Sequence, residues 1–84
     1  MERKMFKLEV ISPEKILFSG EVSVAAFPGE KSPFTVLYNH APLISSLVAG
    51  TISFTADEKE NTIDILGGFV EVKNNCVTAC VEIK

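Results

Sequence analysis

The sequence contains no tryptophan, one tyrosine and one histidine. With so few rings able to stack on a sugar, a carbohydrate-binding platform has little support. The single histidine, His40, has no carboxylate close to it in sequence, because the nearest ones are Glu30 and Asp57. Acid–base or nucleophilic catalysis needs a second group that orients or relays the proton. The sequence around His40 therefore provides no catalytic pair.

Clusters of one charge and long apolar runs are also missing. Eight Lys and Arg are scattered among eleven Asp and Glu, for a net charge of -3. A nucleic-acid surface needs a basic stripe, so nucleic acid is disfavoured as a partner. No stretch approaches the roughly 20 apolar residues of a membrane span, and the start MERKMFKLEVIS lacks the apolar region of a signal peptide. We expect a soluble, intracellular chain that is free to work beside a membrane.

The two cysteines, Cys76 and Cys80, lie in a segment with the pattern of a strand. Side chains at this spacing share one face of a strand, with α carbons about 13 Å apart, whereas a disulfide tolerates about 7 Å. No second pair of ligands accompanies them, so a metal or redox site is disfavoured. The sequence predicts two buried thiols in a reducing compartment.

Short runs with period-two alternation of apolar residues recur along the chain, which is typical of half-buried strands. These runs lie at 6–10, 22–26, 52–56, 63–65 and 77–83. Turn signals separate them, among them the proline-bounded loop PGEKSP at 28–33. This spacing predicts an all-β fold, a small flattened β-sandwich of about eight to ten short strands. At 84 residues we expect residues 1–84 to form a single domain without a C-terminal helical domain.

Two segments are open to more than one interpretation. The run APLISSLVAG at 41–50 fits a strand or one to two helical turns, and its serines and β-branched residues favour the strand. The pair Gly67–Gly68 is not part of a phosphate-binding motif, because no further glycine series and no Lys-Ser or Lys-Thr pair follows. We expect a bulge or a tight strand bend at this pair.

Three segments in order resemble the amino-terminal β-sandwich domain of the epsilon subunit of F-type ATP synthase. They are LEVISPEKILFSGEVSVAAFPGE, VLYNHAPLISSLVAGTI and GGFVEVKNNCVTACVE, and the resemblance covers about Leu8 to Glu82. The strongest element is HAPL at 40–43, followed by an apolar run and Gly50. The chain departs from the family pattern in its 28–33 loop, and it has Tyr38-Asn39 where the family has Pro-Gly ahead of the histidine.

The resemblance implies a non-catalytic subunit of the central stalk, which joins the gamma subunit to the membrane c ring and couples ion-driven rotation to ATP synthesis. It implies a peripheral location at the cytoplasmic face of the cell membrane, with membrane contact only through the complex. Family members commonly continue into a helical hairpin that inhibits ATP hydrolysis or binds ATP. The chain ends at Lys84, so we expect no hairpin-type inhibition, no nucleotide binding and no cofactor.

The resemblance also assigns residues to the two partners. The positions that match gamma-facing sites are Ser12, His40 and Ser45. The positions that match the loop touching the c ring are Glu30, Lys31, Ser32, Pro33 and Phe34. No residue is assigned to catalysis or to a metal.

Structural roles compete with these assignments at two residues. The ring of His40 is equally expected to hydrogen-bond to backbone and fix the turn before Pro42, which is compatible with a gamma contact. Phe34 precedes an apolar run and is expected to pack in the core.

Two other classes of function remain open. A small hydrolase would need His40 together with Ser45 or Ser46 as the nucleophile. A small ligand-binding β-sandwich module would need an ordered pocket.

Overall fold

The computed structural model describes residues 4–84, and every regular element in that range is a β-strand. The strands are β1 (Phe6–Ile11), β2 (Ile16–Val22), β3 (Val24–Phe27), β4 (Phe34–Val36), β5 (Leu43–Leu47), β6 (Gly50–Ala56), β7 (Lys59–Ile65), β8 (Gly67–Lys73) and β9 (Cys76–Glu82). The ambiguous segment at 41–50 thus contains a strand, as its serines and β-branched residues predict. No helix long and apolar enough to cross a membrane occurs within the described range.

The strands form two sheets. Sheet A has the order β2-β1-β9-β8-β5, and sheet B has the order β4-β3-β6-β7. β1 and β9 run parallel in the middle of sheet A, and the other paired strands run antiparallel. The predicted β-sandwich is confirmed, and the nine strands described agree with the predicted eight to ten.

Alternation along each strand builds the core between the sheets. In β1, Phe6, Leu8 and Val10 are buried, whereas Lys7 and Glu9 lie on the opposite face. β9 repeats this pattern with Val77, Ala79 and Val81, which are all buried. Among the described residues no polar or charged side chain is buried. Removal of these apolar side chains from water is therefore the main stabilising term.

Two hairpins are closed by residues with left-handed backbone. Asp57 and Glu58, between β6 and β7, have φ angles of 51° and 63°. Asn74 and Asn75, between β8 and β9, have φ angles of 51° and 60°. Two successive residues with positive φ form the type I′ turn, whose twist matches that of the flanking strands.

The glycine pair does not form the predicted bulge. The register from Gly67↔Glu82 to Lys73↔Cys76 runs along β8 and β9 without a shift. The chain bends one residue earlier, at Leu66, whose N–H donates to the Glu82 carbonyl at 2.7 Å as the chain passes from sheet B to sheet A. Gly68 is needed for another reason: its φ is 148°, and a Cβ there would collide with the Cys80 carbonyl oxygen.

The prediction of buried cysteines is wrong. Cys76 is exposed and Cys80 is half-buried, and neither forms a disulfide. The reason is the alternation of β9, because Val77, Ala79 and Val81 occupy its inward face. Both thiols consequently lie on the outer face of sheet A.

Candidate docking surfaces

The outer face of sheet A carries a short apolar row that crosses three strands. Strand register places Ile11 beside Cys80, and Cys80 beside Phe69. Phe69 is 51% exposed, although its strand, β8, is paired on both sides, with β9 and with β5. A large aromatic side chain left half in water on a rigid strand is typical of an anchor for a protein partner.

Ser12 lies at one end of this row. A shallow groove runs past it, and its lining is mostly apolar: Ile11, Ser12, Pro13, Gly68, Phe69, Cys80, Val81 and Glu82. Ser12 also closes the β1–β2 turn, because its N–H donates to the Lys15 carbonyl at 2.9 Å and its Oγ accepts from the Lys15 N–H at 3.3 Å. Ser12 is therefore held in place, and its half-buried side chain borders the apolar row.

His40 lies in the turn between β4 and β5. Its ring Nδ1–H donates to the Ala41 carbonyl at 2.7 Å, and its N–H donates to the Leu37 carbonyl at 3.1 Å. The predicted hydrogen bond from the ring to backbone is confirmed. The same turn exposes two large apolar side chains, Leu37 at 55% and Tyr38 at 40%. His40 thus stabilises a turn that presents apolar surface.

Ser12 and His40 lie at opposite ends of sheet A. The turn of His40 is hydrogen-bonded to Asn75, and the Asn75 carbonyl accepts from the N–H of Lys7 at the start of β1. Ser12 follows the other end of the same strand. Six residues of strand at about 3.3 Å each separate the two sites by roughly 20 Å. One partner that touches both residues must extend along the sheet.

The third predicted gamma-facing residue, Ser45, lies beside the predicted c-ring loop. The start of the loop is joined to β5 and to the residue that follows it by two backbone hydrogen bonds of 2.9 Å, from Glu30 N–H to Ser46 O and from Val48 N–H to Pro28 O. One groove is lined by residues of both segments: Glu30, Lys31, Ser32, Phe34, Leu43, Ile44, Ser45 and Ser46. The structure therefore brings Ser45 together with the loop and leaves Ser12 and His40 apart from it.

Within that loop the residues differ in what they offer a partner. The side chains of Glu30, Lys31, Ser32 and Pro33 are exposed. Phe34 is half-buried, and its ring stacks on Phe27 with centroids 5.5 Å apart. The expected packing role of Phe34 is thus present, and only part of its ring is left for contact.

His40 and Ser45, two of the groups named for the hydrolase alternative, are hydrogen-bonded elsewhere. Ser45 Oγ donates to the Ser46 carbonyl at 3.0 Å, and in the described chain no hydrogen bond joins His40 to either serine. In residues 4–84 there is also no group of three or more His, Cys, Asp or Glu arranged to hold a metal ion.

Sequence reasoning missed the exposed apolar residues. Phe69, Leu37, Tyr38 and the 75% exposed Ile44 were not among the predicted contacts. A signal for Phe69 was available: Val70 and Val72 point inward along β8, so alternation directs Phe69 and Glu71 to the outer face. Leu37 and Tyr38 lie in a turn, where no such periodicity applies.

Comparison with known proteins agrees with the sequence resemblance. A family model described as the β-sandwich domain of the ATP synthase delta/epsilon chain matches residues 5–83. The ATP synthase epsilon chain of Leptospira interrogans serovar Lai is 42% identical over 78 residues, which are 93% of this chain and 61% of that protein. The ATP synthase epsilon chain of Chlorobaculum tepidum is 41% identical over 73 residues, which are 86% of this chain and 83% of that protein.

Solved structures share the fold at much lower sequence identity. A chain of the Euglena gracilis mitochondrial ATP synthase, solved as OSCP, F1 and c ring, superimposes with a TM-score of 0.87 at 17% identity, covering 93% of this chain and 51% of that one. A chain from the central stalk and c ring of the Tetrahymena thermophila enzyme gives 0.78 at 12% identity, covering 98% and 66%. With its matched family model and its epsilon-chain relatives, the chain belongs to the ATP synthase delta/epsilon chain β-sandwich family.

Proposed function

We propose that this chain is a non-catalytic subunit of the central stalk of an ATP synthase, where it joins the gamma subunit to the c ring. Residues 1–84 act as one domain in this role. The observation that carries the proposal is the apolar row of half-buried Ile11 and Cys80 and exposed Phe69 on the outer face of a domain of this family. The chain spans about three fifths of the Leptospira relative, at 61%. The activity of a whole epsilon chain is therefore proposed for this chain and is not taken from that relative.

The gamma subunit docks on the outer face of sheet A. Ser12, which matches a gamma-facing position of the family, borders the apolar groove that contains Phe69. A stable interface buries on the order of 1,200 Å² or more, which exceeds the area of this groove and extends the contact along the sheet towards His40. Apolar anchors within a polar surround are the usual composition of such an interface.

The loop at 28–33 and the adjoining Phe34 seat the domain on the c ring. Glu30, Lys31, Ser32 and Pro33 are exposed there, and Pro28 and Glu30 at the start of the loop are hydrogen-bonded to Val48 and Ser46. A loop whose start is already fixed loses less conformational entropy when it docks. Coupling of rotation to ATP synthesis then depends on one domain held by gamma on one surface and by the ring on another.

The proposal extends to location and to what the chain does not do. The complex places the domain at the cytoplasmic face of the cell membrane, and membrane contact is made only through the complex. The 84 residues bind no nucleotide and do not inhibit ATP hydrolysis by a helical hairpin. The absence of a hairpin within these residues is supported by β9, which pairs with β1 on one side and with β8, as far as Glu82, on the other.

Titration of the purified gamma subunit into the chain tests the proposal. Phe69→Glu places a charge in the apolar row, and loss of an aromatic anchor worth about 2 kcal/mol or more weakens binding about 30-fold. His40→Glu and Ser45→Arg are expected to weaken it as well. Thr62→Glu is the matched control, because Thr62 is exposed on β7 of the other sheet. Unchanged affinity of Phe69→Glu would refute the assignment of this face. Unchanged affinity of His40→Glu and Ser45→Arg would refute the gamma contact of those two residues, because Ser45 pairs with the buried Val70 and lies beside the loop at 28–33.

A ligand-binding sandwich is the second candidate, because the apolar groove beside Ser12 has room for a small apolar molecule. Recovery of partners from cells separates the two. Capture of gamma and c-ring subunits by the tagged chain supports the stalk role. Capture of neither, together with a small molecule retained by the purified chain, would favour the second candidate.

A further inference from the structure

The residue ahead of His40 adopts a backbone conformation that most side chains avoid. Asn39 has a φ of 64°, in the left-handed region that glycine enters freely and asparagine enters more readily than other residues. An asparagine at this φ angle is free to leave it unless contacts with other parts of the chain restrain it.

Asn75, in the β8–β9 turn, supplies the restraint. The Asn39 N–H donates to Asn75 Oδ1 at 2.7 Å, and Asn75 Nδ2 donates to Asn39 Oδ1 at 3.0 Å. Asn75 is itself fixed, because it closes the turn between two central strands with a φ of 60° and its carbonyl accepts from Lys7 N–H at 2.9 Å. We call this reciprocal pair the asparagine clasp. It fastens the turn at 37–40 to the β8–β9 turn of sheet A.

We infer that the asparagine clasp positions the turn at 37–40 for recognition of gamma, with Asn39 and Asn75 acting through the side chains that the turn presents. The inference rests on the proposed function. The turn exposes Leu37 and Tyr38 beside His40. Tyrosine is over-represented among residues that dominate binding energy. A turn already held in its bound conformation avoids the entropy loss of ordering upon docking.

The isolated chain gives the first test, without any partner. Asn75→Gly removes both bonds of the clasp and keeps a residue that tolerates positive φ. Asn74→Gly is a matched control, because Asn74 has a φ of 51° in the same turn and does not bond to Asn39. We expect hydrogen exchange at the Asn39 and His40 amides to accelerate at least about three-fold in Asn75→Gly. Exchange there in Asn74→Gly should match the parent chain.

Binding of purified gamma gives the second test. Loss of one to two exposed hydrogen bonds should weaken the affinity of Asn75→Gly about 3- to 10-fold, with Asn74→Gly close to the parent chain. Asn75→Asp keeps an acceptor for the Asn39 N–H and should give an intermediate loss. Asn39→Gly removes the Oδ1 that accepts from Asn75 Nδ2 and keeps the backbone N–H. Because Asn75→Gly already breaks both bonds, the double variant should bind no more weakly than Asn75→Gly alone.

The outcomes separate this inference from the proposed function. Equal effects of Asn75→Gly and Asn74→Gly, on exchange or on affinity, would overturn the positioning role. Additive losses in the double variant would also overturn it, since they would show two independent contacts. If the parent chain does not bind gamma, the proposed function fails and recognition by the clasp fails with it. In that case the exchange data still decide whether the clasp orders the turn.

Discussion

At the scale of single residues, the adjacent Gly67 and Gly68 differ greatly in the space that they leave for a side chain. Gly68 has a φ of 148°, and a Cβ on it would meet the Cys80 carbonyl of the neighbouring strand. A Cβ on Gly67 would meet only the Leu47 carbonyl oxygen at 3.5 Å, an ordinary contact. The backbone of β9 approaches Gly68 so closely that no side chain fits there.

Replacement of each glycine by alanine should show this difference. Gly68→Ala is expected to lower the free energy of unfolding by about 2 kcal/mol or more, which lowers Tm by about 8 to 16 °C in a domain of this size. Gly67→Ala should change Tm by no more than a few degrees. Thermal unfolding followed by circular dichroism measures both. Comparable Tm values for the two variants would contradict the close approach of β9.

Single-residue geometry is also where sequence reasoning is weakest. The bulge or tight bend predicted at the double glycine is not formed there, and the need for Gly68 comes from a contact between β8 and β9 that no local pattern encodes. The cysteines illustrate a different error. Alternation with Val77, Ala79 and Val81 directs Cys76 and Cys80 outward. The prediction of buried thiols followed the general tendency of cysteine to be buried instead of this alternation.

At the scale of elements, the sequence was a better guide. Period-two patterns mark the inward faces of β1, β6 and β9, because one face of each strand is buried against the other sheet. The pairing of β1 with β9 could not be predicted, since residues at the two ends of the chain meet there in parallel. For the same reason the distances between Ser12, His40 and Ser45 were not predictable: they depend on which strands are neighbours.

The loop at 28–33 and strand β5 form one unit at this scale. Hydrogen bonds from Glu30 N–H and Val48 N–H, each 2.9 Å long, join the two segments. Residues 28 to 30 of the loop are therefore joined to sheet A, and Lys31 and Ser32 extend directly from this joined segment. In the proposed role, this connection would carry load from the ring to the sheet.

Charge reversal in this loop should separate ring contact from gamma contact. The double change Lys31→Glu with Ser32→Glu is expected to leave gamma affinity within about two-fold, because neither residue lies on the outer face of sheet A. In reconstituted vesicles the same variant should reduce ATP-driven ion pumping per ATP hydrolysed. Lys59→Glu with Thr62→Glu is the matched control, because it makes the same charge change on exposed positions of β7. Normal coupling in the loop variant would remove the loop from the mechanism.

At the scale of the whole molecule, the described strands form one connected unit around a shared core. β9 lies between β1 and β8, and β2 continues through Ser23 into sheet B, where Ser23 N–H donates to Thr55 O at 3.0 Å. In the proposed role, loads between the loop at 28–33 and the outer face of sheet A would cross hydrogen-bonded sheet and packed side chains. Such an interior is close-packed and has low compressibility, which suits a rigid coupling.

The same connectivity leads to a prediction about ATP hydrolysis. In the proposed position between gamma and the c ring, the chain could block the catalytic head only if part of it left the sandwich and extended along gamma. β9 is paired with β8 from Cys76 to Glu82 and with β1 on its other side, and Val77, Ala79 and Val81 are core residues. Detaching this strand would remove the centre of sheet A, so the folded domain and an extended arm are mutually exclusive for these residues.

We therefore expect the 84-residue chain to bind a reconstituted catalytic head carrying gamma without slowing ATP hydrolysis. Binding next to the c ring, away from the catalytic head, should change the activation barrier of hydrolysis by less than about 0.3 kcal/mol. The rate of ATP hydrolysis should therefore stay within about 1.5-fold of the rate without the chain. Co-sedimentation must show that the chain is bound, and Phe69→Glu serves as the variant that binds weakly at the same concentration. A large drop in rate with the parent chain, absent with Phe69→Glu, would show that the bound sandwich itself acts as a brake.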